Sequence, residues 1–226
     1  GSSFPYCIIF EPAQLTDTMV EQTLNIYYHV LLFALYCFLG WVLEVAYRSA
    51  TQRKLVNAGF LHGPVVPIYG LAAFIVVALL DTLKAWHFAA VFVLCGLVIT
   101  AFEYMVGFGI EKIFKMRLWD YSQRRLNLHG YVCLEFSLLW TLLVFVFAAF
   151  VHPLLFKQVA GLDATVVKIA AIIFMLYFMI DFTFSVMSLA AFRRSMAHLR
   201  DHYFNLSGTE IHDNINSFAR LLRAFP

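Results

Sequence analysis

The residues best able to do chemistry in this chain are acids set in or beside apolar runs: Glu44, Glu103, Glu111, Glu135 and Asp181. His62 and His129 lie in the polar connections between those runs. A carboxylate held ionised at the centre of a membrane helix costs roughly 2.5–3.5 kcal/mol. Glu103 and Asp181 sit well inside apolar stretches whose single base, Lys168, lies at the far end of the last one. They must therefore be protonated, share a proton, bind a cation, or reach an Arg at the end of a run, such as Arg48, Arg124 or Arg125. Proton or cation binding is one chemistry that this pattern supports. Acid–base work by Glu44, His62 and Glu103 is another, and a metal held by the Glu/His cluster is a third.

Each residue also has a plainer reading. Glu44 with Arg48, and Glu111 with Lys115, have the i, i+4 spacing of a helix-surface ion pair. Glu135 can snorkel to the interface. Asp181 can bond a nearby hydroxyl, Thr183 or Ser185. His62, between glycines, can cap a turn, and His129 precedes Gly130. Trp119-Asp120-Tyr121-Ser122 fits an interfacial belt.

These residues are positioned by a strongly apolar chain. Of its 226 residues, 62% are hydrophobic and only 13% charged, against about 25% in soluble domains. This is the composition of an integral membrane protein. Apolar runs of the ~20 residues that cross ~30 Å of hydrocarbon cover 24–47, 67–83, 88–110, 131–151 and 166–192. The fourth is expected to end at His152-Pro153. The expected fold class is all-α: a polytopic bundle of about five transmembrane helices over 24–194. An extracytoplasmic segment, 1–23, precedes it. A cytosolic tail, 195–226, follows, with a capping box at Ser207–Glu210 and an amphipathic stretch through Ile211, Ile215, Phe218 and Leu222.

Between the first two runs lies Asn57-Ala-Gly-Phe-Leu-His-Gly-Pro-Val-Val-Pro-Ile-Tyr-Gly70. Gly59, Gly63, Pro64, Pro67 and Gly70 rule out one ordinary helix, yet the stretch is too apolar for a solvated loop. Irregular backbone at membrane depth survives only where protein or a wet cavity covers it. A broken or re-entrant lead-in to the second span is therefore expected, lining a polar site with Asn57, His62 and Tyr69.

Basic residues orient the bundle. With the N-terminus outside, eleven fall on inner connections and three on outer ones, so the C-terminus is inside. The acids and Asn57, His62, Tyr69, Asp120, Tyr121, Asn127 and His129 then gather in the cytoplasmic half. The Gly1-Ser2-Ser3 opening is set apart from the fold as a tag remnant, and no cleavable signal peptide is expected. Cys7, Cys37, Cys95 and Cys133 have neither metal nor redox spacing. The chain has no Walker A motif, HExxH, nucleophile elbow or basic nucleic-acid face.

Three blocks together resemble a bacterial membrane family, the putative ABC-transporter type IV (CmpB-like) proteins, over about residues 30–155. They are Gly40-Trp41-x-x-Glu44, the Asn57–Gly70 block, and Glu103-Tyr104 through Glu111 to Trp119-Asp120-Tyr121-Ser122, Asn127 and Gly130. The family's Asn-Arg-Gly stands here as Asn57-Ala58-Gly59. The resemblance implies a transport component of the inner membrane that works with a separate ATPase or another membrane subunit.

The leading expectation is thus a permease-like transport component, multi-pass in the bacterial cytoplasmic membrane, with the lipid bilayer as its surroundings and a homo-oligomer or partner chain completing a path. Its proton-, cation- or substrate-binding residues are Glu44, His62, Tyr69, Glu103 and Asp181, supported by Asn57, Glu111, Trp119, Asp120, Tyr121, Asn127 and His129. A membrane enzyme acting on a lipid or lipid-linked substrate at the inner leaflet is the second expectation, and a structural assembly subunit the third.

Overall fold

The computed structural model describes residues 18–57, 59–83, 85–115 and 117–201. The expected amphipathic tail and most of the N-terminal segment lie outside them. Helix α1 spans Thr18–Gln52, α2 Pro67–Thr82 and α3 Phe88–Phe114. A two-stranded antiparallel hairpin follows, β1 (Asn127–Leu128) pairing with β2 (Val132–Cys133). Helix α4 (Leu134–Val146) continues through a π turn, Phe147–Val151, into α5 (His152–Ala160), and α6 covers Ala164–Asp201. Counting α4, the π turn and α5 as one path gives five helices. Four of them are long and apolar enough to cross a membrane; α2 is shorter.

The shortness of α2 has a local cause. At 1.5 Å per residue its 16 residues reach about 24 Å. Residues 53–57 and 59–66 turn back beside α1. The Val66 N–H donates to the Cys37 carbonyl at 3.1 Å, a point about 22 Å back from the end of α1. Pro67 then starts α2, where its missing N–H costs nothing. Leu61 and Val65 are buried against Cys37, Phe33 and α6 aromatics, so protein covers the irregular backbone. Gly59 holds φ at 107°, open in practice only to glycine. The re-entrant segment expected from the Gly/Pro spacing is thus observed.

The fourth span differs from expectation. His152-Pro153 does not end it; the helix continues to Ala160. A proline inside an α-helix clashes with the carbonyl four residues back and lacks a donor. Here the turn before it is widened, and the His152 N–H reaches the Phe147 carbonyl. A π turn absorbs the proline where a regular turn would break.

The 115–133 connection is also more ordered than a polar loop. Lys115, Leu126 and His129 take left-handed φ of 53–55°. The Asn127 side chain donates to the Arg124 carbonyl at 2.8 Å and accepts from the Gly130 N–H at 3.1 Å. These bonds fold the connection down beside the last turns of α3. Helix α1 packs on α2, α5 and α6, and α3 packs on α4.

Candidate functional site

The acids fall into two separate stations. At the first, four helices and the hairpin connection converge on Glu103. Glu44 on α1 accepts from the Tyr69 hydroxyl of α2 at 3.0 Å and pairs with Arg48 at 3.2 Å. The Tyr69 ring meets the Trp140 ring of α4 edge-on, centroids 5.6 Å apart. Glu103, 7% exposed on α3, accepts from the Tyr121 hydroxyl at 3.2 Å through Oε1. Tyr121 is stacked on Phe136 at 4.8 Å. Burial first, and the Glu103 carboxylate next, push the Tyr121 phenol above its ordinary range, so it stays a donor.

The other oxygen of Glu103, Oε2, is buried with no hydrogen-bond partner. The donor beside it is the equally buried Trp140 indole N–H, which faces the carboxylate without reaching it in good hydrogen-bond geometry. Native interiors seldom leave such groups unsatisfied, and each instance calls for a reason. A buried carboxylate with one hydroxyl donor on Oε1 and only an off-geometry indole beside Oε2 can hold a proton.

The second station is built differently. Asp181 on α6, also 7% exposed, accepts the His62 N–H at 3.0 Å on Oδ1 and the Gly63 N–H at 2.9 Å on Oδ2. Both of its oxygens are used. The His62 ring bonds the buried Ser185 hydroxyl through Nδ1 at 2.7 Å. Asn57 closes the turn, donating to the His62 carbonyl at 3.2 Å and accepting from the Trp41 indole at 2.8 Å. At Gly63 an added Cβ would collide with the Tyr177 hydroxyl. The carboxylate therefore clamps the re-entrant segment to α6. Thr183, the other expected hydroxyl partner, donates instead to the Met179 carbonyl at 2.7 Å.

This station is no catalytic triad. Ser185 and Asp181 both approach Nδ1 of His62, at 2.7 and 3.6 Å, whereas a relay needs the nucleophile and the acid on opposite ring nitrogens. Among the described residues, no three His, Cys, Asp or Glu side chains come together as a metal site. A metal at the Glu/His cluster does not fit, because the histidine and the glutamates stand at different stations.

The supporting residues brace the hairpin. Glu111 pairs with Arg117 at 2.6 Å rather than forming the helix-surface pair with Lys115. Arg117 also reaches Asp120 at 3.2 Å and lies over the Tyr131 ring. Hydrogen bonds from the Ser122 side chain, then from its backbone, hold Asp120 below the usual carboxylate range. Trp119 donates to the Tyr131 carbonyl at 2.8 Å, and His129 meets the Tyr104 hydroxyl at 3.1 Å. Glu135 is exposed and pairs with Arg124 at 3.2 Å.

Two residues of the Glu103 station, Tyr121 as donor and Trp140, were placed at the site by the fold. Trp140 gave no sequence signal beyond being a tryptophan in an apolar run. His152 was also missed. It lies buried against Tyr36, with Nδ1 2.6 Å from the hydroxyl and Nε2 unpartnered. A histidine inside an apolar run was the available signal.

The family model for "Putative ABC-transporter type IV" matches residues 31–186, from α1 through both stations into α6. The chain belongs to that family. It is a multi-pass membrane protein and a transport-related component. No curated protein and no solved structure matches it.

Proposed function

We propose that this chain is the permease-like subunit of a transport system in a bacterial cytoplasmic membrane, N-terminus out, and that Glu103 is its proton- or cation-binding group. The burial of Glu103 with Oε2 making no hydrogen bond of good geometry, only the Trp140 indole standing beside it, is the observation that carries this reading. Glu44 supplies a second carboxylate within electrostatic reach of Glu103, and Tyr69 and Tyr121 fix one oxygen on each acid. Broken helices beside a polar site are the form that transporters give to such a path. Asp181, His62 and Asn57 hold the re-entrant segment that frames the site. Energy comes from a gradient or from a separate ATPase, since the chain has no nucleotide-binding motif.

The test is flux through the full chain reconstituted in liposomes loaded with a pH-sensitive dye, under a clamped potential, between pH 5 and 8. Wild type should dissipate an imposed proton gradient faster than Glu103→Gln, with both equally folded by thermal unfolding. Equal rates in the two proteins would overturn the proposal.

A further inference from the structure

Two exposed tips project from the end of the bundle that carries the acids. One is Arg53-Lys54-Leu55, where α1 gives way to the re-entrant segment. The other is Arg124-Arg125-Leu126, in the hairpin connection between α3 and α4. All six residues are exposed. Leu55 keeps 94% of its surface and Leu126 76%, whereas Val56, next to Leu55, is buried.

The fold holds these tips out rather than leaving them out. Arg53 sits at φ 51° and Leu126 at φ 53°, left-handed backbone that is disfavoured for any residue with a Cβ. The first tip is fixed by the Val56 N–H donating to the Ser49 hydroxyl at 3.2 Å. The second is fixed by the Leu134 N–H on the Leu126 carbonyl at 3.2 Å and the Arg124 N–H on the Tyr121 carbonyl at 2.8 Å. Arg124 pairs with Glu135. No ion pair among the described residues engages Arg53, Lys54 or Arg125.

A fully exposed leucine beside uncompensated cations, twice over at one end of a membrane bundle, matches one surface in charge and polarity. That surface is a leaflet with acyl chains below and anionic headgroups above. Basic residues there gain from negative lipid, and leucine gains from the acyl boundary. We propose that the two tips are a paired anchor for anionic phospholipid, each leucine entering the acyl boundary and Arg53, Lys54 and Arg125 meeting phosphates. An acidic protein partner is the competing occupant.

The experiment titrates dioleoylphosphatidylglycerol or dioleoylphosphatidylcholine into the full chain in neutral detergent and follows the unfolding temperature. Wild type should respond at lower concentrations of the anionic lipid. The Arg53→Gln, Lys54→Gln, Arg125→Gln variant should weaken that response by about a hundredfold, given roughly a fivefold factor for each of the three basic residues at an anionic surface. Leu55→Ser with Leu126→Ser should weaken the response to both lipids, and Leu55→Phe with Leu126→Phe should keep it. Equal wild-type responses to the two lipids would overturn the anchor. So would an undiminished response in the serine variant, which would leave the leucines to a protein partner. All positions are exposed, so the variants' unfolding temperatures without added lipid should match wild type.

Discussion

Glu103 and Asp181 are equally buried acids in helices of one bundle, yet they do opposite things with their oxygens. Asp181 has both oxygens met by backbone N–H groups of the re-entrant segment. Glu103 has one oxygen met by Tyr121 and one that faces only the Trp140 indole, off good hydrogen-bond geometry. Burial alone therefore does not fix how a carboxylate is hydrogen-bonded. What separates the two is the balance of donors around the carboxylate. A saturated acid is a fastener; an unsaturated one has capacity left for a proton or a cation.

The contrast can be broken in several ways. The largest expected effect is Asp181→Ala. It strips two hydrogen bonds to a carboxylate and leaves two part-buried N–H groups unmet. The cost should be about 3 kcal/mol or more, read by thermal unfolding, with new protease sensitivity within residues 57–66. Wild-type stability would show that the clamp does not hold the segment.

Gly63→Ala acts on the same contact from the other side, since its Cβ meets the Tyr177 hydroxyl. Overpacking of this kind costs about 1–3 kcal/mol. Tyr177→Phe in the same chain should restore part of the loss by removing the colliding oxygen.

The isosteric amides sharpen the comparison. Asp181→Asn turns an NH2 group toward a backbone N–H and should cost about 1.5–3 kcal/mol. Glu103→Gln keeps an acceptor for Tyr121 and turns its NH2 group toward one off-geometry indole N–H rather than two well-made backbone bonds, so it should cost less than Asp181→Asn, about 1 kcal/mol, while proton flux falls. Equal destabilisation by the two substitutions would erase the distinction between fastener and working acid.

The smallest effect concerns pH. Asp120 has its folded pKa lowered, chiefly by the Ser122 hydroxyl. A lowered acid contributes stability above its unfolded value and loses it as pH falls through its folded value. The hairpin should therefore be held firmly near neutrality and loosen only in acid. Emission from Trp119, obtained by difference against Trp119→Phe, should shift in that range, and Asp120→Asn should remove the shift.

Much of this architecture was legible in the residue string. Fold class follows from apolar runs of fixed length, and the lead-in to α2 from Gly59, Gly63, Pro64 and Pro67. The expectation that the acids gather toward one end came from their places along those runs. The π turn was not legible, because Pro153 reads as a stop unless the preceding turn widens, and packing decides that. The hairpin was hidden because Leu126 and His129 occupy left-handed positions that their types do not announce.

The sequence by itself determined where along its helix each group lies, since hydropathy and helical rise are local and add along the chain. Only the tertiary structure decided which group meets which. The donors that saturate Asp181 come from Gly63 and His62, 118 and 119 positions away, and they are backbone amides that every residue but proline carries. No residue type advertises such a donor. Whether a buried acid is closed or open is therefore set by how the helices pack, and that property divides the two stations.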